Sequence, residues 1–209
     1  MPEPSAPTPL PHPRRVILFS GHMVDAPDRA VPRFPPACVP AAAAHIAAAL
    51  DQLQAGPDDL GLTQGAAGGD LLFAEAAQER GMALQFLQPF AEAEFIERSV
   101  RPVCDGDDWV ARYRAVAARL ANPPQAMPAP TAGAAPSCDA RDNPFARCNR
   151  WLLDTALARG GERVWLLCLW DCQGGDGAGG TAHMVGEVQH HHGHVIHIDC
   201  RRLWQDAGS

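Results

Sequence analysis

The chain has no lysine: every one of its 17 basic residues is arginine. That absence removes whole enzyme classes. A P-loop needs a lysine on the terminal phosphates, a pyridoxal phosphate enzyme needs one for its Schiff base, and kinases and nucleotidyl-transferring ligases need one as well. Tyrosine occurs once, as Tyr113, so a Tyr-x-x-x-Lys dehydrogenase is also excluded. No run approaches the ~18 to 20 continuous apolar residues of a membrane span. The start lacks the charged region, apolar stretch and small-residue cleavage site of a secretory signal, and the expected location is cytoplasmic. Basic charge is also in deficit, with a formal net charge of -7, which argues against a general nucleic-acid binder.

What remains is a chain for one ordinary domain, 209 residues with 46% hydrophobic and 20% charged content. Its seven cysteines are odd in number and contain no C-x-x-C, and they read as reduced, buried thiols. Proline punctuates the chain. Residues 1–13 read as a disordered proline-rich leader, Pro27 to Pro40 as a rigid loop, and about 122–142 as a Pro/Ala-rich insertion in a single domain over 14–209.

Between these blocks the pattern alternates. Arg15 to Ser20, Leu60 to Ala66, Met82 to Leu87, Arg163 to Trp170 and His194 to Ile198 read as buried strands. Helical spacing marks Pro40 to Ala55, Asp70 to Arg80, Ala91 to Val103, Asp107 to Ala121, Pro144 to Arg159 and Thr181 to His192. Strands separated by helices imply a doubly wound, Rossmann-like α/β domain, a mainly parallel sheet of about five strands covered on both faces. Such sheets bind ligands beyond the carboxyl ends of their strands, where strand order reverses.

The segments that follow the strands carry the candidate chemistry. After the first strand come Ser20, Gly21, His22 and Asp25, which bring a tight turn, a donor and a carboxylate to one edge. Asp25 reads equally as a carboxylate closing its own turn. After the second strand, Gly68, Gly69 and Asp70 enter a helix, a place where free amides and the helix dipole suit a phosphate or ribose. Asp70 is either an N-cap or a site carboxylate, and Glu75 either a site carboxylate or a solvated helix charge. After the fourth, Asp171 leads into a glycine-dense loop ending in Gly177, Gly179, Gly180 and Thr181, an anion cradle or a flexible loop with a capping threonine. Gly175, Gly177 and Gly180 also fit a G-x-G-x-x-G, with Asp199 at the end of the next strand. Arg33, in the rigid loop, is a phosphate clamp or a solvated side chain. His190, His191, His192, His194 and His197 crowd one passage but lack zinc-ligand spacing, and no metal or other cofactor is expected.

Taken together, Phe19-Ser-Gly-His-Met-Val-Asp25, Pro32-Arg-Phe-Pro35, Ala67-Gly-Gly-Asp70 and Gly179-Gly-Thr-Ala-His-Met184 resemble the SLOG superfamily of Rossmannoid domains. That group includes the LOG-like phosphoribohydrolases and the DNA-processing protein DprA. The resemblance spans Arg14 to Asp199 outside the insertion and implies a pocket for a nucleotide or nucleotide-derived molecule, in bacterial signalling or conflict systems. In the hydrolase branch a Gly-Gly-x-Gly-Thr-x-x-Glu motif binds phosphate and supplies the carboxylate. Here Thr181 matches, whereas Met184 stands at the glutamate position and Glu187 is the next acid.

The departure favours binding or sensing over hydrolysis. A nucleotide-binding domain is the first expectation, with the residues above around phosphate and ribose. An N-glycoside hydrolase using Asp70 or Glu75 is the second, and a ligand-free interaction module the third. A homodimer through the outer helices is the assembly expected of such sheets.

Overall fold

The computed structural model describes residues 12–128, 143–172 and 181–206. Most of the expected leader, residues 129–142 of the expected insertion, and the glycine loop with Gly177, Gly179 and Gly180 therefore lie outside the described residues. The chain runs β1 (Arg15–Gly21), α1 (Val39–Gln52), β2 (Asp59–Thr63), α2 (Gly69–Glu79) and β3 (Ala83–Gln88). It continues with α3 (Glu92–Phe95), which passes into a π-helical turn at Ile96–Val100, then α4 (Gly106–Ala117), β4 (Gln125–Ala126) and α5 (Pro144–Leu157). The last elements are β5 (Val164–Trp170), α6 (Thr181–His190), β6 (His194–Asp199) and α7 (Cys200–Asp206).

All six strands are parallel, in the order β4-β3-β2-β1-β5-β6. The expected α/β class is what the structure has, with six strands instead of five. The extra one, β4, pairs Gln125 and Ala126 with Leu87 and Gln88. Two residues cannot display a period, so only the tertiary pairing creates this strand. The sheet runs outward from β1 in both directions, which puts the reversal of strand order between β1 and β5.

Alternation along each strand divides the core in two. Ile17, Phe19, Leu167 and Leu169 face α1, α2, α4 and α7 in the larger cluster, where Phe19 stacks on Phe73 with centroids 5.1 Å apart. Val16, Leu18, Leu62, Leu166 and Cys168 face α5 and α6 in the smaller one. Cys148 and Cys168, inside this second layer, have thiols pushed up to about 12 by burial. Two cysteines depart from the expectation of buried thiols: Cys104 is half-buried, and Cys172, two residues past β5, is exposed. No helix among the described residues is long and apolar enough to cross a membrane.

The amino edge of the sheet is tied by one carboxylate. Asp59, its side chain fully buried, accepts from Nε and Nη2 of both Arg14 and Arg15 and from the Gly56 amide. Burial pushes the Asp59 pKa up, but the bonds from Arg14, Arg15 and Gly56 outweigh it and hold the group below its ordinary value. A lowered folded pKa means stability that is present above the unfolded value, near 4, and lost as pH falls through the folded one. Asp59→Asn is expected to lower unfolding free energy by about 2 kcal/mol in urea titrations at pH 7. The gap between variant and wild type should close as the titrations move below pH 4.

Candidate functional site

A cleft of about 520 Å³ opens at the carboxyl ends of β1 and β2, beside the point where strand order reverses. Ser20, Gly21, His22, Arg33, Asp70 and Thr181 all line it. The strand ends bring them together: Ser20 lies beside Cys168 in the register of β1 and β5, and its Oγ is 3.0 Å from Oγ1 of Thr181, the first residue of α6. This hydroxyl pair joins the central strand to the helix packed on the smaller core.

The wall made by residues 20–34 is organised from behind. Asp25 accepts from the amides of Arg33 and Phe34, its Oδ1 stands 3.3 Å from Arg29 Nε, and its own carbonyl accepts from the Cys104 amide. It is therefore the carboxylate that shapes its own loop, and the lining is left to its neighbours Val24 and Ala26. Asp171, just past β5, bridges the two central strands instead. One oxygen faces His22 Nε2 at 3.4 Å and the other faces Arg33 Nε at 3.6 Å. Both guanidinium groups thus reach the cleft with carboxylates beneath them, which fixes their direction more than it adds affinity.

Gly68 and Gly69 do something other than cradle an anion. Gly68, at φ 112°, makes a single antiparallel pairing with Met23, and a Cβ there would stand 2.7 Å from Val24 N and 2.8 Å from His22 O. The Gly69 amide donates to His22 O, and the Val24 amide to Ala67 O. The expectation of free outward amides at this helix start is thus corrected for Gly69: its amide is consumed by the neighbouring loop, because two backbones meet where no side chain fits.

Asp70 is not the N-cap of α2, a place held by Gly68. Its carboxylate turns back to accept from the amides of Gly65 and Ala66, at 3.2 and 3.3 Å, and sits 7% exposed in the cleft wall. Burial pushes its pKa up to about 6, the Thr63 hydroxyl and the loop amides offsetting that cost only in part. Glu75 is not brought to the site. It points toward α4, where Arg112 holds it through Nε and Nη2 at 2.8 and 2.5 Å while the guanidinium lies over Trp109.

Several lining residues were not singled out from sequence. Ser99 and Pro102 come from the segment after β3, and Asn143, Phe145 and Asn149 from the start of α5. Gln64 Nε2 donates to Asn149 Oδ1 at 2.6 Å, closing that end with amides. The rule that ligands sit beyond strand ends pointed to the segment after β3, but no residue type there singles out Ser99. Of the histidines, His194 stacks on Trp165, His197 Nε2 is 2.9 Å from Trp170 O, and His190 meets His191 edge to face. Among the described residues no three His, Cys, Asp or Glu converge as metal ligands. In comparisons with known proteins, no family model and no curated protein matches the chain.

Two outcomes are expected from this geometry. Gly68→Ala should cost about 2 kcal/mol or more in ligand-free unfolding, since it adds both a clash and an unfavourable φ. Asp70, with its folded pKa raised, contributes stability that is complete below about pH 4 and lost as pH rises through about 6. Melting temperature against pH should show that decline in the wild type and not in Asp70→Asn, and a carboxyl-carbon NMR titration should find the midpoint near 6.

Proposed function

We propose that this cleft binds a nucleotide or a nucleotide-derived small molecule, and that the chain is a binding or sensing domain of SLOG type. The observation that carries the reading is the polarity of the cleft from end to end. The Ser20–Thr181 hydroxyl pair, at the start of α6 and in the same cleft as Arg33, suits a phosphate. At α5, Phe145 with the amides of Gln64 and Asn149 suits the flat face and hydrogen-bonding edge of a base. The volume falls in the ordinary range for small-molecule sites, about 300–1,000 Å³.

A second reading has its own support. Asp70 is a carboxylate in the wall of the cleft with a pKa of about 6, a value suited to proton transfer near neutrality. In N-glycoside hydrolysis such a group would stabilise the sugar's developing positive charge or activate water. Binding requires no turnover, so the two readings separate on base release.

Thermal unfolding should be followed with mono-, di- and cyclic nucleotides, NAD and ADP-ribose. A ligand at 100 times its Kd is expected to raise the melting temperature by about 5 to 10 °C. Thr181→Val should weaken that binding about tenfold, as a lost hydrogen bond to a charged group does. Release of free base from the bound ligand, abolished in Asp70→Asn assayed at saturating ligand, would decide for the hydrolase. No shift with any nucleotide would overturn the nucleotide reading and leave a ligand-free interaction module.

A further inference from the structure

Ser99 lies in the π-helical turn that follows α3, at 1% exposure, and is one of the residues that line the cleft. Its Oγ is buried and has no hydrogen-bond partner among the described residues. Leaving a buried hydroxyl unpaired costs more than a hydrogen bond returns, so folded proteins rarely tolerate one without a use for it. The backbone around it is fully committed by contrast: the Ser99 carbonyl accepts from the Ala67 amide at 2.9 Å. Ala66, the preceding residue, donates its amide to Asp70 Oδ2. The orphaned hydroxyl and the raised-pKa carboxylate are therefore anchored to adjacent residues of one loop and line the same cleft.

We infer that Ser99 and Asp70 hold the ribose hydroxyls of the bound ligand, making the cleft selective for ribonucleotides over their deoxy counterparts. The inference rests on the nucleotide reading above and identifies the part of the ligand met at this wall. A phosphate is disfavoured beside the Asp70 carboxylate, and the flat amide-lined end lies at α5. A vicinal diol supplies the partner that the Ser99 hydroxyl lacks and one further donor to a carboxylate already held by the Gly65 and Ala66 amides.

Ser99→Ala removes only Oγ, and calorimetric titration of the full chain with matched ribo-, 2′-deoxy- and 3′-deoxynucleotides tests it. The wild type should bind the ribonucleotide about tenfold more tightly than the form lacking the hydroxyl that Ser99 meets. In Ser99→Ala that ratio should fall to near one, with affinity for the deoxy form unchanged. The melting temperature without ligand should stay level or rise, because the variant relieves an unpaired buried group. An unchanged ratio in the variant, equal affinity of the wild type for all three ligands, or a lower melting temperature would overturn the assignment to the ligand. If the wild type binds no nucleotide at all, the proposed function itself fails and this inference with it.

Discussion

The clasp between residues 22–24 and 67–69 governs the rest of the site. Two loops that leave neighbouring strands exchange backbone hydrogen bonds at a distance only glycine permits at position 68, and the Gly69 amide completes the link to His22. The bonds fix the height of His22 relative to the start of α2. They also set where Asp70, one residue further, can turn its carboxylate. Phe19 completes the support from below: its ring would lie 2.8 Å from a Cβ on Gly21 and 2.9 Å from one on Gly69. Gly68 and Gly69, whose place in the sequence suited a phosphate or ribose, are thus the joinery of the cleft floor.

The sheet was largely legible in the sequence because each of its long strands is a short apolar run between glycine or proline signals, as in Val164–Trp170. β4 and α7 were not, the first because two residues carry no pattern, the second because its seven residues depend on Leu203 reaching the larger core. Of the site, the part that follows strand ends was legible: Ser20, His22, Arg33, Asp70 and Thr181 share one cleft. Glu75 was drawn in by its nearness to Asp70 in sequence, but five residues of helix turn it toward α4 and Arg112. Ser99 and Asn149 stayed hidden for the opposite reason, since their role comes from tertiary proximity and no local spacing announces it.

An all-arginine complement has a physical counterpart in how the charges are used. Arg14 and Arg15 share Asp59, Arg80 holds Asp51, Arg112 holds Glu75 and Arg201 holds Asp199 in forked or paired contacts that a compact ammonium would not reproduce. At Asp199 the Arg201 bonds bring the pKa down to about 2. The same habit reaches the cleft, where Asp25 and Asp171 lie under Arg29 and Arg33. The character of the cleft there is set by the orientation of hydroxyls and forked donors more than by net charge.

The two faces of the sheet are unequal, and the cleft straddles them. Its floor and one wall rest on the larger core with α2, while Phe145, Asn149 and Thr181 ride on the helices packed over the smaller one. Local opening follows buried apolar contact, so a protein of this build breathes by its thinner layer first. The width of the cleft is then a soft coordinate and its floor a stiff one. Any widening of the cleft falls to α5 and α6, over a floor that the larger core holds in place.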